Sequence, residues 1–317
     1  MTSGNANKKY LFERIGVYGG FLVILALVTM VMLALPYKNT YISESGVSET
    51  YLSAFVSMAV LATAVLILGT FYNMLIWMEG MVSNVESDAP RSRKLVVSTK
   101  RFLKAIFSKE FCEHLKVFLL DSILLRKLWR TSKVRWFLHS TILIGFIGIL
   151  VLDIITTIAL ESLHLDSFID PNGWGKLWVR DFGFDLFGLM MLIGLLGAVM
   201  RRFVFRPKQL VTGQEDIVAV LLLLIIVVGG FVQEGLGMRI CLPSHSSPQL
   251  YSFVGAAFAA ILPQVSMETY AQLWLLHAVV SLALIAYIPF SKLFHLLAAP
   301  LANQVDAIIR RREEGRA

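Results

Sequence analysis

Charged residues are scarce in this chain, and that scarcity excludes most classes of soluble protein. Only 16% of the 317 residues are Asp, Glu, Lys or Arg, while 56% are hydrophobic. Soluble domains carry about 25% charged residues, and no globular core needs so much apolar sequence, so the excess is expected to face lipid. The composition excludes an ordinary soluble domain, a disordered chain and, despite the net charge of +7, a nucleic-acid-binding protein.

Cysteine is also scarce, which limits the redox chemistry that the chain can perform by itself. Its two cysteines are Cys112 and Cys241, too few for a disulfide scaffold. Without a C-x-x-C pair, the sequence offers no such motif for zinc, an iron–sulfur cluster or haem c. The membrane topology predicted below places the two thiols on opposite sides of the bilayer, which argues against a thiol-redox function.

What the chain has instead is long apolar runs without charge. About 20 residues in an α-helix cross the hydrocarbon core of a bilayer, and six runs approach or exceed that length. We therefore predict an all-α integral membrane bundle of six transmembrane helices. The runs are residues 15–36, 51–78, 136–152, 186–200, 217–233 and 269–291. The fourth is expected to extend N-terminally through Phe182, with Asp185 inside the span.

The distribution of Lys and Arg gives the orientation. The two ends and the loops at 79–135 and 201–216 hold 25 of these residues, and the loops on the other side hold 4. This bias follows the positive-inside rule, so both termini are predicted to be cytoplasmic in a multi-pass protein of the cytoplasmic (inner) membrane. A seventh span at 249–267 would break the pattern, and we interpret that segment as interfacial or re-entrant.

The connection between the second and third spans is basic but also apolar at helical spacing. This pattern predicts amphipathic cytoplasmic helices on the membrane surface, held by anionic lipid and also compatible with docking of a partner. The chain then divides into two N-terminal spans (1–79), this connection (80–133), a four-helix domain (134–303) and a charged tail (304–317).

Three of the six histidines lie in or beside predicted spans, where ionisable groups are costly and suggest function. His277 and His295 are 18 residues apart, which is five helical turns and about 27 Å on one helix face. His139 starts the third span at the depth of His295, so these two imidazoles could be the axial ligands of a haem b. Polar packing, a proton relay or a quinone contact are the alternatives for each histidine.

Three segments carry a family resemblance. The first joins Leu275-Leu276-His277 to Tyr287-Ile288-Pro289-Phe290-Ser291-Lys292-Leu293-Phe294-His295 and Ala299-Pro300. The second joins Arg201-Arg202-Phe203-Val204-Phe205-Arg206-Pro207 to Thr212-Gly213-Gln214-Glu215-Asp216-Ile217, and the third is Arg135-Trp136-Phe137-Leu138-His139. Over about residues 134–300 the chain resembles the respiratory nitrate reductase gamma subunit family, and it is similar to the membrane cytochromes of heterodisulfide-reductase-like complexes.

The resemblance implies a dihaem cytochrome b. It implies an inner haem b ligated by His139 and His295 and an outer haem with His277 as one ligand. The position of the second outer ligand is Ile149 here. His277 would then pair with His245 or His164, hold a five-coordinate haem, or lack a haem altogether.

The resemblance also suggests a quinone site. Lys176 falls where the family carries a lysine near its outer quinone pocket, and it would otherwise be a residue that snorkels to the interface. Asp153 and Asp185, in the outer parts of spans three and four, could accept quinol protons or cap a helix end.

The leading functional hypothesis is a subunit of a quinone-linked oxidoreductase complex whose substrate chemistry lies on a partner. It would pass electrons between menaquinone or another quinone and a cytoplasmic iron–sulfur subunit like those of heterodisulfide reductases, or a periplasmic multihaem cytochrome c. The alternative is a cofactor-free membrane anchor or a transporter-like subunit that keeps the bundle. The expected partners are the lipid bilayer and these redox proteins, and no nucleic acid.

Overall fold

The computed structural model describes residues 49–79, 85–109, 111–205, 214–242, 245 and 249–314. Among these residues every regular element is helical, as the predicted all-α class requires. They form two compact units. Those of the first unit fall within Val60–Arg126 and Ile285–Ala317, and those of the second within Ala34–Ala59 and Lys127–Leu284. The predicted first span, 15–36, and the N-terminus lie outside the described residues.

Ten α-helices follow one another along the described chain, joined by π-helical and 3₁₀ turns. They are α1 (Glu49–Trp77), α2 (Arg91–Ile106), α3 (Phe111–Val117), α4 (Arg126–Thr131), α5 (Lys133–Thr157), α6 (Phe182–Val199), α7 (Gln214–Arg239), α8 (Phe253–Ile261), α9 (Met267–Tyr287) and α10 (His295–Glu314). The π-helical turns are Phe118–Ile123, Ile158–Ser162, Gly175–Asp181 and Met200–Phe205, and the 3₁₀ turns are Asp166–Phe168, Ile288–Phe290 and Lys292–Phe294.

Five helical segments are long and apolar enough to cross a membrane, which makes the chain a multi-pass membrane protein. They match five of the six predicted spans, but most extend further, because the predicted runs stopped at the first charged residue. The segments are Ser53–Trp77, Lys133–Leu160, Gly175–Phe205, Asp216–Arg239 and Met267–Phe290. The apolar segment at 249–267 instead forms α8, whose nine residues extend about 14 Å and cannot cross a core of about 30 Å.

In the second unit, α5 packs along α6, and the short helix α8 packs against α7. One core cluster joins Leu236 and Leu242, at the end of α7 and just after it, to Tyr270 on α9. The first turn of α1 belongs to the same unit, where the hydroxyl of Tyr51 donates a hydrogen bond to Glu268 Oε1 at 2.6 Å. These contacts form around the ends of α7 and α9, where the candidate site lies.

In the first unit, α3 and the π-helical turn after it are hydrogen-bonded to α10. Nδ1 of the buried His114 donates to Gln304 Oε1 at 3.0 Å, and Gln304 Nε2 donates to the His114 carbonyl at 2.9 Å. Asn303 Nδ2 donates to the carbonyl of Asp121 and to Ser122 Oγ at 3.3 and 3.2 Å. The predicted amphipathic connection is therefore helical, and it exposes apolar side chains such as Leu103, Phe107, Phe111 and Leu115.

One expectation about the last span is wrong. His277 and His295 do not lie on one continuous helix, because α9 ends at Tyr287 and α10 begins at His295. Two 3₁₀ turns lie between them, separated by Ser291 in an extended conformation (φ −127°, ψ 173°). Pro289 cannot donate a helical hydrogen bond, and Ser291 Oγ accepts from the backbone amide of Leu293 at 3.2 Å. The five-turn spacing therefore does not place the two rings on one helix face.

Candidate functional site

Five ionisable residues form a polar cluster at one end of the second unit: Lys176, Asp181, Asp185, Glu234 and His245. Lys176 is 0% exposed, and its Nζ lies 3.4 Å from Oδ1 of Asp181, which is 7% exposed. The π-helical turn Gly175–Asp181 makes this pairing possible. Its i→i+5 hydrogen bonds bring residues five apart together, whereas an α-helix would turn them about 140° apart.

Asp185 and Glu234 lie where α6 and α7 meet the start of α8. Oδ2 of Asp185 accepts the backbone amide of Val254 at 2.6 Å, so Asp185 caps α8 from a neighbouring helix. The Glu234 carboxyl lies against Gly255, where Oε2 is 2.6 Å from the position that a Cβ would take. Its side chain also lies close to Asp185 and to the buried Ser252.

His245 completes the polar cluster from the segment after α7. Burial lowers the pKa of its imidazole to about 3, and the positive charges of Lys176 and Arg180 lower it further in the same direction. The ring is therefore neutral at physiological pH, with a lone pair on one nitrogen. Its Nδ1 lies 2.7 Å from the position of a Cβ on Gly237, which places the ring against the backbone of α7.

The ring of His277 reaches α7 from α9 at a different point. Its Nδ1 lies 2.7 Å from the position of a Cβ on Gly229, so only a glycine leaves room for the ring there. Gly229 and Gly237 are eight residues apart on α7, about 12 Å along the axis. Two imidazole nitrogens on one metal ion are only about 4 Å apart, because each bond is about 2 Å long. The structure thus places His245 and His277 at separate contact points on α7.

The other candidate haem ligands belong to different units. His139 lies on α5 in the second unit and is partly buried, while the exposed His295 begins α10 in the first unit. Nδ1 of His295 contacts the carbonyl of Lys292 at 2.5 Å. A carbonyl can only accept, so Nδ1 carries the proton and the lone pair of the neutral ring is on Nε2.

The remaining sequence candidates lie outside the polar cluster. Asp153 is exposed near the end of α5, beside the exposed apolar side chains of Leu150 and Ile154. His164 is exposed in a left-handed conformation (φ 49°), and its Nδ1 donates to the carbonyl of Leu160 at 2.9 Å. The structure thus brings Lys176, Asp185 and His245 together, and Asp153 and His164 lie elsewhere.

The donor set fits haem ligation at its histidines. His295 has a tautomer that offers Nε2, and the ring of His277 packs directly against the α7 backbone at Gly229. Neutral imidazoles held by a hydrogen bond at the other nitrogen are the usual nitrogen ligands of metals in proteins. Within the described ranges, no group of three or more His, Cys, Asp or Glu residues could hold a metal ion.

Residues 115–303, more than half of the chain, match the HdrE family of dihydromethanophenazine:CoB–CoM heterodisulfide reductase. The chain belongs to this family. An HdrE protein of that reductase from Methanosarcina mazei is 27% identical over 271 residues, which cover 81% of this chain and 95% of that protein. Its counterpart from Methanosarcina acetivorans is 26% identical, with 81% and 94% covered.

The family assignment agrees with the predicted likeness to heterodisulfide-reductase-like complexes, and it names that branch rather than the nitrate reductase gamma subunit. The members of this family are membrane subunits of a redox complex. A shorter match is to the EtfAB:quinone oxidoreductase of Syntrophomonas wolfei, 27% identical over 128 residues, covering 37% of this chain and 18% of that protein. No solved structure matches the chain.

Sequence reasoning missed two members of the polar cluster, Asp181 and Glu234. Each lies one residue outside a predicted span, Asp181 before the span that extends to Phe182 and Glu234 after the run that ends at residue 233. A charged residue directly beside an apolar run, with a counter-charge five residues before it, is the signal that could have revealed Asp181. Nothing comparable marks Glu234, whose partners come from other helices.

Proposed function

We propose that this chain is a haem b-containing membrane subunit that passes electrons between a quinone pool and a redox partner. The partner is an iron–sulfur subunit of the heterodisulfide reductase type in the cytoplasm, or a multihaem cytochrome c in the periplasm. Both termini and the 80–133 connection lie in the cytoplasm, and the polar cluster lies near the outer face of the cytoplasmic membrane. The mobile electron carrier is menaquinone or a similar lipid-soluble quinone.

One observation supports this proposal above the others. The family match at 115–303 includes all three candidate haem-ligating histidines and the whole polar cluster. The names of the relatives add to it, because they combine a reductase with dihydromethanophenazine or with quinone. Both are small lipid-soluble redox carriers, a class that only a membrane subunit meets directly.

His139 and His295 are the proposed ligands of one haem b, and His277 is the proposed ligand of a second. When bound, haem supplies one-electron transfer at a potential set by its axial ligands and its burial. The chain contributes the imidazole nitrogens that would hold the iron. The tautomer of His295, fixed by the Lys292 carbonyl, keeps Nε2 as the ligating atom.

Lys176 is the proposed contact of the quinone. Its ammonium would donate a hydrogen bond to a quinone oxygen and stabilise the negative charge that develops there during reduction. Because Nζ is fully buried and paired with Asp181, quinone binding must replace part of that pairing. Asp153 and Asp185 are the proposed proton-exchanging carboxyls, and of these only Asp185 lies in the polar cluster.

A difference spectrum tests the proposal. The dithionite-reduced minus oxidised spectrum of the purified chain should show a b-type signal, and a pyridine haemochrome assay should give one or two haems per chain. His139→Ala and His295→Ala should each remove one haem, whereas His164→Ala should leave the count unchanged. His277→Ala should remove the second haem where two are present.

Three other results would contradict the proposal or one of its parts. A chain without any b-type signal would be the cofactor-free anchor or transporter-like subunit instead. Wild-type spectra in both the His139 and His295 variants would reject that ligand pair. A count of one haem that survives in the His277 variant would leave His277 without a ligand role.

A further inference from the structure

Two buried carboxyl groups from different helices meet at the start of α8. Asp185 on α6 is 0% exposed and accepts the Val254 amide through Oδ2. Glu234 on α7 lies over the neighbouring residue, Gly255. The two carboxyl groups thus contact adjacent residues at the start of α8 and lie close to each other. The sequence separation of 49 residues between them gave no indication of this contact.

A hydrogen bond between two carboxyl groups requires a proton on one of them. Among the described residues, Oδ1 of Asp185 receives no hydrogen bond from an amine, amide or hydroxyl. A carboxylate oxygen left without a donor in an apolar interior costs several kcal/mol, and like charges in contact cannot both be ionised there. One proton shared with Glu234 removes both costs, and the pair then carries a single negative charge at the N-terminus of α8, where the helix dipole favours it.

The charged and polar groups around the pair allow it to bind a second proton. Asp181 is the charged neighbour of both carboxyls, and Lys176 is already paired with Asp181. Ser252, just before α8, is a polar neighbour of Glu234. The guanidinium group of Arg180 donates a hydrogen bond to the carbonyl of Phe168 at 2.7 Å. A second proton would neutralise the pair fully, which an apolar environment favours, whereas loss of the first would leave two adjacent anions.

We propose that Asp185 and Glu234 form a proton-sharing carboxyl pair that relays protons between a quinone site at Lys176 and the outer aqueous phase. The relay role rests on the proposed function, and the shared proton does not. When a quinol gives up two electrons to the redox chain, its two hydroxyl protons leave one at a time. Each passes to the pair through Asp181, takes the pair from one proton to two, and is then released outside. In quinone reduction the same steps run in reverse.

Infrared spectroscopy tests the shared proton without quinone or a partner. Wild-type chain in lipid at pH 7 should show a protonated carboxyl C=O band that shifts in D₂O and disappears in the Asp185→Asn, Glu234→Gln double variant. Glu268→Gln is the matched control, because Glu268 is an exposed carboxyl at the start of α9 that Tyr51 already satisfies. The band should persist there. A double variant whose spectrum superimposes on wild type would overturn the shared proton.

Turnover with a reduced quinol and a soluble acceptor tests the relay. Asp185→Asn and Glu234→Gln should each lower kcat by about 10²-fold, as expected for loss of a proton-transfer group, with KM little changed. The double variant should lose no more than either single one, because the pair acts as a unit. The alkaline arm of the pH profile should change in all three variants and not in Glu268→Gln.

The two failures are distinguishable. A wild-type chain that never accepts electrons from quinol rejects the proposed function, while the infrared result still reports on the pair. Normal turnover and a normal pH profile in the variants, with the infrared band lost, would overturn the relay. Equal losses of turnover and thermal stability with an unchanged pH profile would also overturn it, because they would reduce the pair to an anchor for α8.

Discussion

At the scale of single residues, His245 shows how burial and charge act on one ring. Burial first, and then the positive charges of Lys176 and Arg180, lower the pKa of its imidazole to about 3, compared with about 6.5 in an unfolded chain. The folded state therefore resists protonation that the unfolded state accepts. The contribution to stability is fully present above pH 6.5 and is lost progressively as the pH falls towards 3, by about 1.4 kcal/mol per pH unit.

His245→Gln removes this titration and keeps a polar side chain of similar size. We expect the free energy of unfolding of the variant, relative to wild type, to rise by about 1.4 kcal/mol for each pH unit below 6.5. Denaturant titrations in detergent between pH 7 and pH 4.5 measure the difference. If the free energy of unfolding changed with pH in the same way in both proteins, the His245 ring would be protonated as easily in the folded state as in the unfolded one.

At the scale of helices, the contact between α7 and α9 depends on two adjacent glycines with different surroundings. A Cβ on Gly229 would lie 2.7 Å from His277 Nδ1, whereas the nearest atoms of that ring to a Cβ on Gly230 are at 4.0 Å. Alanine stabilises a helix by about 0.5–1 kcal/mol relative to glycine, but forcing an atom into a packed contact costs about 1–3 kcal/mol. The same substitution should therefore have opposite signs at the two positions.

We expect Gly229→Ala to lower thermal stability and Gly230→Ala to keep or raise it. Melting curves of the chain without added cofactor measure both variants, with Gly230→Ala as the matched control. Where a haem depends on His277, the Gly229 variant should also shift its absorption band. Equal stability of the two variants would mean that the ring moves aside freely and that α7 does not fix its position.

The same helices show what could be predicted from the sequence and what could not. Charge-free runs located five spans because helix length in lipid is set by hydrocarbon thickness. The charge-free runs did not predict where the spans end, because Lys176 and Asp181 lie inside a span as a buried pair. They also missed the break at Ser291, which depends on local hydrogen bonding rather than on hydropathy. The contact between Asp185 and Glu234 depends on helix packing, about which periodicity carries no information.

At the scale of the whole molecule, the two cysteines report on topology. Three candidate membrane-spanning segments lie between Cys112 and Cys241: Lys133–Leu160, Gly175–Phe205 and Asp216–Arg239. Because three is an odd number, we predict that the two thiols lie on opposite sides of the membrane. The charge bias predicts that Cys112 lies on the cytoplasmic side. Both thiols are free and exposed, so both can be labelled in the native chain without introducing a cysteine.

A membrane-impermeant maleimide applied to intact cells should label Cys241 and leave Cys112 unlabelled until the membrane is opened. Cys112→Ser and Cys241→Ser assign each signal, and both substitutions change exposed side chains only. Labelling of Cys112 alone from outside would reverse the orientation and move the polar cluster to the cytoplasmic face. Labelling of both cysteines from one side would mean that one of the three segments does not cross, and the proton exit proposed for Asp185 and Glu234 would then lose its outer aqueous phase.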